Sequence, residues 1–404
     1  MRHLLLASVL GVGIPSVAAS ADRDPSVASL PRSGYEPRTI IIGSVVVRPT
    51  LDLYATYDDN IYATRRAKVD DKIVSISPRV EIQRQGAALD LTADAHGDII
   101  RYIDNSRENV NLFGGSVASK TNLTRRQTLS ASLRFDRGFE RRSDPEATTD
   151  RSRPPALTNI TSGEIGYRVQ GGRFGAAVDL QATKIDYLPL RDADRDLLTY
   201  RVAARGLVKV THRISVFAES YVNHRDARLR VDRSGVNRDA TTTGILTGVS
   251  FDLADKLQGD AGIGVFKSNP KSPVLRSFHG VGANARLVWR PQRRTSVSID
   301  GFRGDVATIR AGAVGRVDTR LTLTVEQEVR HNLLLHASAG LRDVHYRGSI
   351  GQDQRYKSGE LELRYLLDRH FALSLGTTHS RRSADDPDER FARWRTTLGL
   401  HMVY

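Results

Sequence analysis

The sequence predicts an all-β protein, a transmembrane antiparallel up-and-down β-barrel of about 18 strands, with 16 strands as the alternative. Three observations predict this class. Apolar and polar residues alternate with a period of two along most of the chain, which is typical of strands and not of helices. Short turns and long polar loops alternate between these segments. The N-terminus has the pattern of a secretory signal peptide.

The N-terminal pattern consists of a basic start, an apolar run and a cleavage site. Arg2 precedes the apolar run, and Ala19-Ser20-Ala21 supplies small residues for cleavage before Asp22. Two glycines and a proline interrupt the run, which is also short for a membrane-spanning helix. The expected organisation is a signal peptide at 1–21, a periplasmic N-terminal tail at 22–43 and an outer-membrane β-barrel at 44–404.

The composition excludes several classes of protein. The 404 residues include 60 Lys and Arg against 46 Asp and Glu, and 51 of the basic residues are arginine. The absence of cysteine excludes disulfides, thiolate metal sites and a cysteine nucleophile. A net charge of +14 is compatible with nucleic-acid binding, but the arginines are dispersed and form no concentrated patch. We therefore expect no nucleic-acid partner.

The last segment shows the alternation most clearly. Trp394, Leu398 and Tyr404 fall on one face, whereas Arg393 and Arg395 fall on the other. In a soluble sandwich these charges would be buried in the interior without partners. A barrel instead places one face of each strand against lipid and the other in an aqueous lumen. The terminal Tyr404 is then lipid-facing, and we expect it to be the assembly signal that the barrel assembly machinery reads.

The connections predict the strand count and the side on which the termini lie. Eight short turns fall near 85–87, 122–125, 171–172, 211–213, 255–256, 291–294, 330–332 and 368–370. Nine long loops fall near 59–71, 103–109, 140–157, 187–196, 226–239, 268–274, 303–312, 347–355 and 383–390. Eighteen strands result, and an even number puts both termini on the periplasmic, short-turn side. The tail at 22–43 would then hang in the periplasm or fold into the pore.

The arginines at polar positions of the strands are the candidate functional residues. Ten of them are predicted to line the pore: Arg134, Arg168, Arg201, Arg205, Arg286, Arg316, Arg320, Arg364, Arg393 and Arg395. Rings of arginine bias a pore towards anions. Glutamates such as Glu326 and Glu362 share the same face, so a neutralised ladder of cross-strand pairs is an equal alternative. Arginines in the rim and loops would contact lipopolysaccharide phosphates.

Catalytic and metal-binding motifs are absent from the sequence. The segment 192–196 resembles the start of a calcium loop, but Leu197 stands where such a loop needs glycine. The histidines lack metal-ligand spacing, and no G-x-S-x-G element occurs. We expect no catalytic residue, no metal site and no cofactor.

The end of the first predicted strand resembles a known family. It reads Tyr57-Asp58-Asp59-Asn60-Ile61-Tyr62 and is similar to the opening of the outer-membrane barrels called β-barrel porin 2. In that family the first strand typically ends in a Tyr-Asp-Asp-Asn-hydrophobic-aromatic element. The resemblance continues as a pattern of hairpins over roughly 44–404. Asp58, Asp59 and Asn60 match the family element, and we expect them to end the strand and shape the first external loop.

The resemblance also implies a function. Members of the family are commonly encoded beside genes for exopolysaccharide synthesis and export, which implies an accessory channel for export of an acidic exopolysaccharide. The expected partners are outer-membrane lipid, lipopolysaccharide, the assembly machinery, polysaccharide export proteins and the acidic glycan. A diffusion porin for small anionic solutes is the first alternative. A closed structural or adhesive barrel, acting through loops such as 140–157 and 226–239, is the second.

Overall fold

The computed structural model describes residues 26–147, 150–232, 235–253, 256–310, 312–348 and 352–404. The predicted signal peptide at 1–21 and the start of the predicted tail lie outside this described part.

Eighteen antiparallel strands pair in chain order and close into a barrel, because the last strand pairs with the first. The predicted count and up-and-down topology are confirmed. A short strand, β1 (Ile40–Ile42), precedes the barrel. The barrel strands are β2 (Val45–Asp58), β3 (Asp71–Arg84), β4 (Leu89–Tyr102), β5 (Val110–Thr124), β6 (Gln127–Phe139), β7 (Leu157–Gln170), β8 (Phe174–Tyr187), β9 (Leu197–Lys209), β10 (Ile214–Ala227), β11 (Ala240–Leu253), β12 (Leu257–Pro270), β13 (Phe278–Gln292), β14 (Thr295–Val306), β15 (Gly315–Arg330), β16 (Leu333–Arg347), β17 (Gln354–Leu366), β18 (Phe371–Ala384) and β19 (Phe391–Val403).

The strands are longer than a membrane requires. They contain between 12 residues in β14 and 16 in β15, whereas about 9–11 residues suffice to cross the hydrocarbon layer. The strands therefore extend beyond it. This extension explains why β12 and β14 run to Pro270 and Val306, past the positions where the sequence predicted their loops to begin.

Long and short connections alternate as predicted, so that one end of the barrel carries nine long loops and the other eight short turns. Three long loops contain 3-10 helices, at Ser106–Glu108, Leu190–Arg195 and Pro387–Glu389. The calcium-like segment 192–196 is part of the second of these. Its Asp196 accepts from the backbone N–H of Tyr187 (2.6 Å) and pairs with Arg228 (2.7 Å), so that carboxylate serves the loop itself.

At the short-turn end of the barrel, β1 pairs with the part of β2 that β19 does not reach. Ile40–Ile42 pair with Val45–Val47 across a tight turn at Gly43, whose φ of 62° is readily adopted only by glycine. The hairpin continues β2 beyond the point where its pairing with β19 ends at Thr50. Ile41 and Ile42 are exposed.

The two faces of the sheet differ as the alternation predicts. Large apolar side chains such as Leu133, Ile263 and Leu398 are exposed on the outside. Charged side chains such as Arg205 and Asp318 are buried on the inside. Apolar residues outside and polar residues inside are the pattern of a lipid-embedded barrel. Within the described residues, no helix is long and apolar enough to cross a membrane.

Candidate functional site: the barrel lumen and its two mouths

Contacts between distant strands identify the inward face. Arg205 on β9 lies 3.5 Å from Asp260 on β12, three strands away, a distance that only side chains inside the barrel can bridge. All ten arginines predicted from the sequence occupy inward positions of this alternation. They lie on β6 (Arg134), β7 (Arg168), β9 (Arg201, Arg205), β13 (Arg286), β15 (Arg316, Arg320), β17 (Arg364) and β19 (Arg393, Arg395).

A first cluster of these arginines surrounds one carboxylate. Glu219 of β10 is only 3% exposed. It accepts from Arg205 Nε at 2.9 Å and from Arg201 Nη2 at 3.4 Å. The two guanidinium groups also lie 4.1 Å from the ring centroids of Phe217 and Tyr221, respectively. Each cation is therefore held between an anion and an aromatic face, which compensates for its removal from water.

A second cluster centres on Asp318 of β15, whose side chain is fully buried. Arg316 Nε lies 3.0 Å and Arg320 Nη2 lies 2.8 Å from its carboxylate oxygens. Arg342 of β16 donates to the same carboxylate. Three guanidinium groups thus share one aspartate, which leaves two of their charges without a counter-ion inside this cluster.

Most of the ten arginines have a counter-ion. Arg364 lies 3.3 Å from Glu362, and Arg286 lies 3.9 Å from Asp300. Arg134 pairs with Asp136. With Arg393, described below, at least eight of the ten have a carboxylate within 4.0 Å in the described part of the protein. For these eight the geometry favours the neutralised network over a free cationic track.

Arg395 is different. It lies on β19 two positions from Arg393, facing inward. Among the residues that the structure describes, no carboxylate lies within ion-pair distance of its guanidinium and no side-chain hydrogen bond forms to it. Arg395 is therefore a lumen arginine that no carboxylate of the described residues neutralises.

The Tyr-Asp-Asp-Asn element closes the barrel. Asp58, fully buried at the end of β2, accepts from Arg393 Nε of β19, which is 2.9 Å from both carboxylate oxygens. Asp59 accepts from the backbone N–H of Trp394 at 2.7 Å. Asn60 donates to the carbonyl of Ala392 at 3.0 Å. We call the Asp58–Arg393 pair and these two backbone contacts the seam clasp, because together they join the first barrel strand to the last.

The long loop between β6 and β7 bends into the barrel. Its start is anchored by a buried pair, in which Arg142 Nη2 lies 2.7 Å from Glu108 Oε1 of the neighbouring loop. Glu140 at its base pairs with Arg195 of another loop. Burial raises the pKa of the Glu140 carboxyl above its usual value, against the opposing effect of that arginine. We call residues 140–147, together with 150–156, the inward loop.

The inward loop crosses the lumen. The carboxylate of its Glu146 contacts Thr308, Ile309 and Arg316, which lie beyond β14 and at the start of β15. Counted around the ring of 18 strands, β14 and β15 lie eight strands from β6 and β7. Glu146 therefore reaches close to the opposite wall. The loop therefore constricts the long-loop mouth.

The tail narrows the other mouth. The backbone N–H of Val27 donates to Glu326 at 2.6 Å, and Arg32 Nε lies 3.1 Å from Glu328. Both glutamates belong to β15 near its short-turn end. Tyr35 packs edge-on against His331, with the ring centroids 5.7 Å apart. We call residues 26–35 the N-terminal segment. It lies against the inner wall, which is the second of the two arrangements that the sequence left open for the tail.

Comparison with known proteins places this architecture in a family. A family model described as "putative beta-barrel porin 2" matches residues 32–404. The chain belongs to this family. It is an outer-membrane β-barrel porin, as the resemblance of its first strand implied. No curated protein matches the porin.

Several solved outer-membrane proteins are similar in structure to the porin. OpdL of Pseudomonas aeruginosa has a TM-score of 0.45 and 11% identity, over 90% of this chain and 99% of that one. The FrpB iron transporter of Neisseria meningitidis has a TM-score of 0.48 and 12% identity, over 87% and 67%. OccAB3 of Acinetobacter baumannii has a TM-score of 0.41 and 9% identity, over 90% and 100%.

Some functional residues of the porin were missed from the sequence. Glu219 and Asp318 fall on the polar face of their strands, so the alternation could have identified them as partners of the arginines. Glu146 and Arg32 lie outside the strands, where no periodicity marks them. In the described part of the porin, no group of three or more histidine and acidic side chains could hold a metal ion. Tyr404 follows β19, with its side chain exposed.

The unpaired Arg395 allows a test of ion selectivity. Replacing Arg395 by glutamate is expected to lower the anion-to-cation permeability ratio several-fold, because the substitution reverses a lumen charge that no described carboxylate neutralises. The reversal potential in a salt gradient across a planar bilayer measures this ratio. Arg381→Glu is the matched control, since Arg381 lies on the outer face of β18 and is exposed. Equal ratios for the two variants would contradict a role of Arg395 in the ion pathway.

Proposed function

We propose that this porin is a gated channel through which an acidic exopolysaccharide leaves the cell. The observation that carries the proposal is the set of stacked arginine and aromatic side chains on the lumen wall. Besides the Arg201–Tyr221 and Arg205–Phe217 pairs, Arg382 lies 5.0 Å from the ring centroid of Phe391.

Such pairs suit an acidic sugar chain. The carbon-bound hydrogens of a sugar ring pack against aromatic faces, and an arginine fork binds a carboxylate through two hydrogen bonds. A lumen of stacked and ion-paired arginines offers contacts that a glycan exchanges one at a time as it advances. A small diffusing anion needs the charges alone and gains nothing from the rings.

The distribution of charge along the barrel axis supports an outward path for anions. On the wall formed by β15–β19, the inward glutamates Glu326, Glu328 and Glu362 lie towards the short turns. Six inward arginines of this wall lie towards the long loops, with the inward carboxylate of Asp318 among them, and Arg364 lies beside Glu362 towards the short turns; the six are Arg316, Arg320, Arg342, Arg382, Arg393 and Arg395. Because the potential becomes more positive towards the long loops, an anionic chain is drawn in that direction.

The proposal includes an orientation and a route of assembly. The short turns and both termini face the periplasm, and the long loops face the medium, where their arginines contact lipopolysaccharide phosphates. The chain is exported with a signal peptide at 1–21 and is inserted by the assembly machinery, which reads the last strand and Tyr404. The proposed partners at the periplasmic mouth are polysaccharide export proteins.

Secretion of the glycan tests the proposal. Deletion of the gene is expected to reduce acidic polysaccharide in the medium, measured as uronic acid, and to leave uptake of small organic acids unchanged. Complementation with Tyr221→Leu is expected to restore less secretion than the wild type, because the aromatic face beside Arg201 is lost. Tyr200→Leu is the control, since Tyr200 is exposed on the outer face of β9. Normal secretion combined with impaired uptake of small acids would support a diffusion porin and contradict export.

One observation favours the second alternative, a closed barrel. Both mouths are constricted, one by the inward loop and the other by the N-terminal segment. A structural or adhesive barrel would stay silent in planar bilayers when either constriction is removed, and deleting its long loops would abolish surface binding. A gated channel would conduct after such a removal.

A further inference from the structure

Three donors converge on the carboxylate of Glu146. Its Oε1 accepts from Thr308 Oγ1 at 2.7 Å and from Arg316 Nη1 at 3.0 Å. Its Oε2 accepts from the backbone N–H of Ile309 at 3.2 Å. The Glu146 side chain is only 4% exposed and that of Arg316 only 1%. We call the three donor residues the carboxylate pocket.

The donors of the carboxylate pocket and Glu146 come from separate parts of the chain. Thr308 and Ile309 lie between β14 and β15, and Arg316 is held within β15 by Asp318 at 3.0 Å. Glu146 comes from the other side of the barrel, 162 residues away from Thr308. We expect the three donors to stay in place when the inward loop withdraws.

The charge around the pocket requires an anion. Arg316, Arg320 and Arg342 surround a single aspartate, so Glu146 supplies the second negative charge of the cluster. Without it, two guanidinium charges would be left uncompensated in a buried site, which is strongly unfavourable. A carboxylate therefore suits this site better than an uncharged group.

Glu146 itself is held in a strained conformation. Its φ is 67°, in the left-handed region that residues other than glycine, asparagine and aspartate rarely adopt. Strain of this kind persists only where surrounding contacts enforce it. The contacts of the Glu146 carboxylate are among those that hold this residue in a backbone conformation it rarely adopts.

A cavity lies beside the pocket. Its volume is about 240 Å³, smaller than the roughly 300–1,000 Å³ of typical small-molecule sites, so we expect it to take no more than a single sugar ring. Arg310, Gln354 and Arg382 line it together with Glu146 and Glu389. These side chains can bind the hydroxyl groups of a sugar ring whose carboxylate occupies the pocket.

We infer that the carboxylate pocket is a binding site for uronate carboxylates and that Glu146 occupies it as an internal substitute, which the substrate displaces to open the inward loop. The inference deepens the proposed function, on which its choice of an acidic sugar rests. The shared chemistry is a carboxylate on a sugar ring, carried either by a free uronate or by a polysaccharide.

Planar-bilayer recordings test the inference, with sodium glucuronate as the probe and glucose as the neutral comparison. In the wild type, glucuronate is expected to increase the open fraction and glucose to leave it unchanged. Glu146→Ala is expected to be open without a probe, and glucuronate in its vacated pocket is expected to block it partially, down to the current of the glucuronate-opened wild type. Asp388→Ala removes an exposed carboxylate from another long loop and is expected to behave as the wild type.

A second substitution tests the pocket without disturbing the buried arginine. In the Glu146→Ala background, Thr308→Val is expected to weaken the glucuronate block roughly tenfold, because one hydrogen bond to a charged group is lost. Urea unfolding of both variants in lipid verifies that they are assembled. A block unaffected by Thr308→Val would overturn the assignment of the pocket.

The remaining outcomes separate the ligand sources and the two proposals. Block by a short oligoglucuronate at much lower concentration than by the monomer supports a polysaccharide, and equal potency supports small acids. If the Glu146→Ala variant is assembled but conducts as the wild type and is not blocked, the assignment of the pocket is overturned. The export proposal is then judged by the secretion experiment. Block by glucuronate together with normal secretion from the deletion strain supports the pocket and overturns export.

Discussion

Replacing Asp58 by alanine is expected to prevent stable closure of the barrel. The substitution leaves Arg393 buried at the seam without a counter-charge, and removal of one partner from a buried ion pair costs about 3–5 kcal/mol. It also removes the acceptor for the backbone N–H of Asn60, which lies 3.0 Å from the Asp58 carboxylate. The free energy of unfolding by urea in lipid vesicles and the heat-dependent mobility of the folded barrel in gels measure the loss.

Two further variants distinguish the seam clasp from a general effect of charge. Asp70→Ala removes an exposed carboxylate of the same loop, whose contact is a 3.2 Å hydrogen bond from Tyr57, and should change the stability little. Exchanging the partners, as Asp58→Arg with Arg393→Asp, should restore part of the lost stability. If Asp58→Ala were as stable as Asp70→Ala, the seam clasp would not hold the barrel closed.

Replacing Arg32 by glutamate is expected to release the N-terminal segment and to increase the single-channel conductance. The substitution brings a third carboxylate beside Glu326 and Glu328 and removes the hydrogen bonds from Arg32 to the carbonyls of Val27, Ala28 and Leu30. Like charges at this separation repel strongly where water is excluded. Conductance in planar bilayers and protease cleavage of the segment are the two measurements.

The matched control for this prediction is Arg38→Glu. Arg38 is exposed in the same tail, so the charge change is identical but no contact with the wall is lost. An Arg32→Glu channel with wild-type conductance, and a segment that resists protease as well as in Arg38→Glu, would show that the ion pair does not fix the segment.

The strand order and the inward face could be predicted from the sequence because both depend on local alternation. In β19, every second residue from Arg393 to His401 faces inward, and no information from another strand is needed to read this. The same pattern identified the ten arginines. It could not reveal their partners, since the hydrogen bond between Arg316 and Glu146 joins residues 170 positions apart.

The contact between the first and the last barrel strand also could not be predicted from the sequence. Arg393 was predicted as a pore-lining residue and Asp58 as part of a strand end, and the structure places them on the inward face of β19 and at the end of β2. Their pairing follows only from closure of the barrel, which brings together residues 335 positions apart. The N-terminal segment could not be placed either, because its contacts with β15 involve single side chains and a 3-10 turn that leave no periodic pattern.

The seam clasp also has a consequence for folding. Of the eighteen strand pairings in the barrel, seventeen join consecutive strands and form as local hairpins, so the entropic cost of long-range loop closure falls on one step alone. Until that step the molecule is an open sheet with two unpaired edges, which are templates for pairing with the wrong chain. Those edges carry Asp58 and Arg393, opposite charges that are costly to bury against any strand except each other. We therefore expect the seam contact to form last and to discriminate against aggregation.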